Sequence, residues 1–194
     1  MRVVLVGDSQ AAGLARPLRA LLGRDLVRVN AQSGRNTSQL VPDALDDASD
    51  YRADLVIVAS GGNDHQALGN PASYGDLVER ITRDLRAAAG RVVWWGPAHS
   101  TDPEVARRHA AAAEVQRVAV PAGGGTWIDS RPITARLEHT PGGVHFFNSG
   151  YDAWAREVAD RLPGTGGGWL LAGAGAAIGG ALLARWWRRR RRSR

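Results

Sequence analysis

The sequence predicts an α/β domain: a three-layer sandwich with a five-stranded parallel sheet between helices, followed by an apolar C-terminal helix. Three observations predict it. Short runs rich in β-branched residues alternate with stretches of helical periodicity over residues 1–163. The clearest runs are apolar at every position, as strands covered on both faces are. They close on glycines, and the next stretch reads as a helix, the pattern of right-handed βαβ units.

The elements follow in order. Residues 3–6 form the first apolar run and end at Gly7. Leu14, Leu18, Leu21 and Leu22 then recur at helical spacing over about 10–23. Residues 26–29 form a second strand. Residues 55–59, Leu-Val-Ile-Val-Ala, are the clearest buried strand. An amphipathic helix over about 73–89 carries Leu77, Val78, Ile81 and Leu85 and stops at Gly90. Residues 92–95 make the next strand, where Trp94 and Trp95 alternate across the sheet and are expected to pack. A helix over about 103–118, a short strand at 126–128 and a last helix over about 149–162 complete the body. In open sheets of this kind the site lies beyond the C-terminal ends of the strands.

Charge divides the chain. The formal charge is +6 and all 25 basic residues are arginine. Residues 1–163 hold 18 of them against all 19 acids, a net of −1. The remaining seven arginines fall within 185–194. The body therefore has no basic excess, and nucleic acid is not expected as its partner. With no cysteine, disulfides and thiol chemistry are excluded. Four consecutive apolar residues near the N-terminus are too few for the roughly 7–15 of an export signal.

Four short motifs sit at predicted strand ends. Gly7-Asp8-Ser9 follows the first strand. A serine there can expose its hydroxyl at the start of a helix, although the same tripeptide serves equally as a helix N-cap. Gly34 follows the second strand and can bring a backbone N–H close to a ligand, as an ordinary turn glycine also would. Gly61-Gly62-Asn63-Asp64 follows the third, and the Asn63 amide can donate to a developing oxyanion. His145 precedes the last helix, within Gly142-Gly143-Val144-His145-Phe146-Phe147. It can act as a general base. Each motif alone is weak.

Their order carries more. Serine at the first strand, glycine after the second, Gly-x-Asn-Asp after the third and histidine before the last helix resemble the SGNH hydrolases, also called GDSL esterases/lipases. The resemblance covers about residues 2–162 and implies a flavodoxin-like sheet. It implies Ser9 as nucleophile and His145 as its base. It implies an oxyanion hole made by the N–H groups of Ser9 and Gly34 with the Asn63 side chain. The implied reaction is acyl transfer to water through an acyl-serine intermediate. No cofactor is expected, since no Gly-rich loop carries a P-loop lysine, and a small body without an obvious lid insertion favours a small acyl ester as substrate.

One position departs from the family pattern. An aspartate is usual three residues before the histidine, and Gly142 stands there. A backbone carbonyl or water can orient His145 in its place, or Asp129 or Glu138 can substitute, or activity can be weak or lost. Asp129 is the chosen third member. His65 and His99 lie near strand ends and are candidates for substrate binding; His109, in an arginine-rich helix, is expected on a solvated face. No spacing resembles a metal site.

A Gly-rich linker at 164–168 leads into an uncharged run, 169–184. Residues 169–187 would span about 28 Å as a helix, close to the ~30 Å of a bilayer core. Tryptophan stands at both ends, Gly175 and Gly179 allow close pairing of two such helices, and Arg188 to Arg192 would meet anionic headgroups. A membrane-associated protein with a C-terminal anchor is expected. The arginine run favours the cytoplasmic side, which would place the body outside although no export signal is visible. The leading expectation is a membrane-anchored serine esterase acting on a short acyl ester, such as an acetyl ester, of a glycan, lipid or small molecule. The alternatives are an inactive binding or scaffold protein on the same fold, and an interaction protein working through residues 188–194.

Overall fold

Residues 1–162 are described by a computed structural model. Five strands, β1 (Val3–Gly7), β2 (Leu26–Ala31), β3 (Leu55–Ala59), β4 (Arg91–Trp95) and β5 (Thr126–Ile128), form one parallel sheet in the order β2-β1-β3-β4-β5. The connecting helices are α1 (Ser9–Leu22), α2 (Thr37–Asp50), α3 (Gln66–Gly69), α4 (Pro71–Ala88), α5 (Pro103–Ala122), α6 (Arg131–Thr134) and α7 (Asn148–Asp160). The domain is the predicted three-layer α/β/α sandwich.

Alternation along the strands builds two cores. Val3, Leu5, Leu55, Ile57, Val93 and Trp95 point to one face, where Leu14 and Leu18 of α1 meet Trp154 and Val158 of α7. Val4, Val6, Val56, Val58, Val92 and Trp94 point to the other, against α2, α4 and α5. Fully burying one such aliphatic side chain contributes about 1.5–3 kcal/mol, so the sheet is held firmly from both sides.

The sequence pattern does not announce α2. Its buried face is Thr37, Leu40, Ala44, Asp47 and Ala48, too small and polar to stand out, and Pro42 lies inside it. An Asn36–Gln39 capping box starts it. The helix expected over about 103–118 runs on to Ala122. Among the described residues no helix is long and apolar enough to cross a membrane. The segments read as linker, apolar helix and arginine tail lie outside the described residues. Strand order reverses at β1, so the C-terminal ends of β1 and β3 flank the crevice where ligands bind in such sheets.

Candidate active site

Gly7 lets β1 end tightly against β3. A Cβ there would overlap the Ala59 carbonyl oxygen and lie 2.6 Å from the Ala11 Cβ. Asp8 caps α1, its Oδ1 accepting from the Gln10 N–H at 2.9 Å. Ser9 is then the first residue of α1, half-buried, where backbone N–H groups have no intrahelical acceptor and negative charge is favoured.

His145 Nε2 lies 2.9 Å from Ser9 Oγ. The loop that carries His145 is pinned on several sides. His139 pairs with Phe146, and the Thr140 N–H donates to the His145 carbonyl at 2.9 Å. The Gly143 carbonyl accepts from Thr101 N at 2.9 Å and from Ser100 Oγ at 2.7 Å. The Val144 carbonyl accepts from Gln10 Nε2 at 2.8 Å, and Gln10 Oε1 accepts from the Tyr151 hydroxyl at 3.1 Å. Gln10 therefore ties the residue before His145 to the residue after Ser9. Phe146 wedges the loop into an aromatic group with Tyr151 and Trp154.

Among the described residues no carboxylate is hydrogen-bonded to His145. Asp129 is taken up by Arg131, accepting from its N–H at 3.0 Å, its Nε at 2.9 Å and its Nη2 at 2.8 Å. Those bonds hold the Asp129 carboxyl below its usual range, against the desolvation that would raise it. Glu138 is exposed, and its backbone carbonyl accepts from Phe147 N at 3.4 Å. Gly142 is exposed, and a Cβ added there would meet nothing within 4 Å.

Gly34 has φ +81° and open space around it, a backbone that L side chains rarely adopt. Asn63 Nδ2 donates to the Arg35 carbonyl at 2.9 Å, which links the β3 loop to the β2 loop and leaves a second amide hydrogen. Asp64 turns inward. It accepts from Thr37 N at 3.0 Å, Thr37 Oγ1 at 2.7 Å and the Tyr74 hydroxyl at 3.2 Å, fixing the start of α2 to the β3 loop.

The other histidines divide. His65 is exposed at the start of α3. His99 is half-buried, its ring edge-on to His139 at 5.4 Å. His109 corrects the expectation of a solvated face: it is buried, with Nδ1 2.7 Å from the Ala98 carbonyl. Of its arginine neighbours on α5 Arg107 is exposed, whereas Arg108 and His109 both turn toward the loop after β3. Asp8, Gln10, Tyr151 and Arg108 also shape the site, and sequence reasoning assigned none of them a role. Gln10 carries a signal only in adjoining Ser9, and Tyr151 only in following the His145 motif by a few residues. Among the described residues no group of three or more His, Cys, Asp or Glu could hold a metal ion.

The structure thus places a serine hydroxyl within hydrogen-bond distance of an imidazole at the C-terminal ends of a parallel α/β sheet. Residues 5–153 match the GDSL-like Lipase/Acylhydrolase family, and the chain belongs to it. No curated protein matches the sequence. Among solved structures, the chain is similar to one assigned to the SGNH hydrolases from Slackia heliotrinireducens, with 22% identity, 81% of this chain and 96% of that chain covered, and a TM-score of 0.64. It is similar to the C-terminal catalytic domain of peptidoglycan O-acetyltransferase A of Streptococcus pneumoniae, with 20% identity, 81% and 90% covered, and a TM-score of 0.65. It is also similar to a catalytic mutant of an acetylxylan esterase from Geobacillus stearothermophilus, with 14% identity, 81% and 91% covered, and a TM-score of 0.62.

Burial pushes the Asp8 carboxyl up to about 7, against backbone hydrogen bonding from Gln10 and Gly62. The folded protein thus keeps this proton where the unfolded chain has lost it. The contribution of Asp8 to stability is largest below pH ~4, falls as pH rises, and is gone above about 7. Thermal melts from pH 4 to 8 should show a decline that is shallower in Asp8→Asn, whatever the offset between the two proteins.

Proposed function

We propose that this protein is a serine esterase that hydrolyses a short acyl ester through an acyl-Ser9 intermediate. The observation that carries the reading is the 2.9 Å contact between Ser9 Oγ and His145 Nε2. As Oγ attacks the ester carbonyl, His145 takes its proton. The tetrahedral oxyanion faces the N–H groups of Ser9 and Gly34 and the Asn63 amide. Collapse breaks the bond to the leaving alkoxide, which receives the proton from His145. Water, deprotonated by the same nitrogen, then attacks the acyl-serine; the acyl–Oγ bond breaks, His145 returns the proton to Ser9 Oγ, and the acid leaves.

His145 works as the base of a dyad in this reading, oriented by its backbone and not by a carboxylate. The leaving group is proposed to be a glycan or another hydroxyl-rich alcohol bearing an acetyl ester. Two structural neighbours are named for acetyl chemistry on xylan and peptidoglycan. In addition, a cavity of ≈ 410 Å³ beside Gly34 is lined by Gln32, Ser33, Arg35 and Gln39, side chains suited to hydroxyl groups. Residues 169–187 are proposed as a membrane anchor with Arg188 to Arg192 at anionic headgroups. The absence of a carboxylate on His145 among the described residues favours one second reading, a binding protein that has lost catalysis.

A fluorophosphonate probe separates the two: it should label wild-type protein at Ser9, and an unlabelled Ser9 sinks the esterase. Ser9→Ala should abolish hydrolysis of 4-nitrophenyl acetate, whereas Asp129→Asn should leave kcat within about twofold, since Asp129 serves Arg131. Gly142→Asp, with open space for the side chain, should raise kcat by up to about fivefold at an unchanged melting temperature. Deleting residues 164–194 should preserve turnover and abolish flotation with vesicles containing anionic lipid; flotation of the truncated body would refute the anchor.

A further inference from the structure

The loop that presents Asn63 has little structure of its own. It runs through Ser60, Gly61 and Gly62, and Gly61 has φ +120°. Helix α5 holds it at two carbonyls. Gln116 Nε2 donates to the Ser60 carbonyl at 3.0 Å and also to the Tyr74 hydroxyl at 2.9 Å. Arg108 Nε donates to the Gly62 carbonyl at 2.8 Å. Between these clamps a Cβ at Gly61 would overlap Gln116 Nε2, and one at Gly62 would lie 3.0 Å from His109 Nε2 and 3.4 Å from Asp8 Oδ2. The Gly62 peptide is therefore enclosed by Asp8, His109 and Arg108. Arg108 is half-buried and forms no ion pair among the described residues.

From this geometry we infer that Arg108 is a positioning residue for the oxyanion site: by binding the Gly62 carbonyl through Nε, it sets where the next residue, Asn63, directs its amide. The inference rests on the esterase reading. The argument is one of leverage. Asn63 is tied at its tip to Arg35 and at its backbone to a glycine pair that has no side chains to lock it. Turn bonds also hold the segment, from the His65 N–H to the Asn63 carbonyl at 3.1 Å and from the Asp64 N–H to the Gly61 carbonyl at 3.4 Å, and Asp8 bonds the Gly62 backbone. Arg108 is the cationic side chain that fixes the Gly62 carbonyl, in the peptide that Asn63 shares. A displacement of about 1 Å in a catalytic group costs up to ~10²-fold in rate. The loss falls on kcat because an oxyanion donor acts mainly in the transition state. His109 supports the clamp from below. Burial lowers its pKa, and its Nε2 lies against Gly62.

The test is a set of substitutions read as kcat and KM on 4-nitrophenyl acetate. Arg108→Met should lower kcat by about 10- to 100-fold with KM within about twofold. Arg108→Gln places an amide nitrogen the same number of bonds from Cα as Nε, and should restore kcat to within about threefold of wild type. Arg108→Lys keeps the charge but moves the donor one bond outward, and should behave like Met; it serves in place of Met if that variant does not fold. In an Asn63→Ala background, Arg108→Met should cost less than about twofold further, since the group it positions is gone. Losses that multiply, full kcat in Arg108→Met, or a KM defect that Gln fails to restore would overturn the inference; the last would mean that the guanidinium binds substrate. Wild-type protein without Ser9-dependent turnover would overturn the esterase reading and this inference with it. Ser9-dependent turnover indifferent to residue 108 would overturn this inference alone.

Discussion

At Gly7 the backbone of β1 passes so close to the Ala59 carbonyl that any side chain would overlap it. This approach sets the rest of the site. It lets β1 and β3 end at the same level, with Gly7 in register with Ala59. The two loops that follow then leave the sheet side by side. One begins α1 with Ser9; the other carries Gly61, Gly62 and Asn63. A parallel sheet whose order reverses at β1 leaves a crevice there in any case. The glycine narrows it until a hydroxyl and an amide from different loops can face one reacting carbonyl.

The third component arrives from far along the chain and needs a tether. Gln10 supplies it, because its side chain donates to the Val144 carbonyl while its N–H bonds the Asp8 cap. Ser9 and His145 are thus joined through neighbours of each, and the joint is covered by Tyr151 and Phe146. Buried hydrogen bonds of this kind are costly to break without replacement, which makes the loop geometry reproducible. The same economy governs Asp64: its carboxylate is spent on Thr37 and Tyr74, so the acid of the Gly-x-Asn-Asp motif builds the frame on which Asn63 sits.

The legible parts of the sequence are those whose physics is local. Five strands announced themselves because residues such as 55–59 are apolar on both faces and end where the chain must turn. Ser9, Gly34, Asn63 and His145 were picked out because the order of four individually weak motifs resembles the family pattern. Helix α2 escaped because alanine and threonine fill its buried face. His109 was misplaced because Arg107 and Arg108 beside it read as a solvated surface, whereas the face of α5 toward the loops is itself polar, carrying His109 and Gln116. Arg108 and Gln10 act on carbonyls 46 and 134 residues away, and no local pattern encodes such a partner. Asp129 was chosen for its place at a strand end, and only the fold shows that Arg131, two residues on, occupies it.

The consequence for the base is chemical. In a full triad a buried carboxylate fixes the imidazole and stabilises the imidazolium formed in the transition state. Here the His145 ring is exposed. Solvent can therefore meet that charge, and a charge in water gains little from a neighbouring carboxylate: about 1 kcal/mol at 4 Å, against several times that in a buried site. Exposure thus removes part of the need for the acid that Gly142 does not provide. It also removes part of the preorganisation, since water must rearrange around the ring at each proton transfer. The burden of orientation passes to the backbone of the His145 loop, and that of electrostatic stabilisation to the donors around the oxyanion. A base held in this way makes the site depend more heavily on the exact set of Asn63 and Gly34, and so on the side chains of α5 that hold the β3 loop in place.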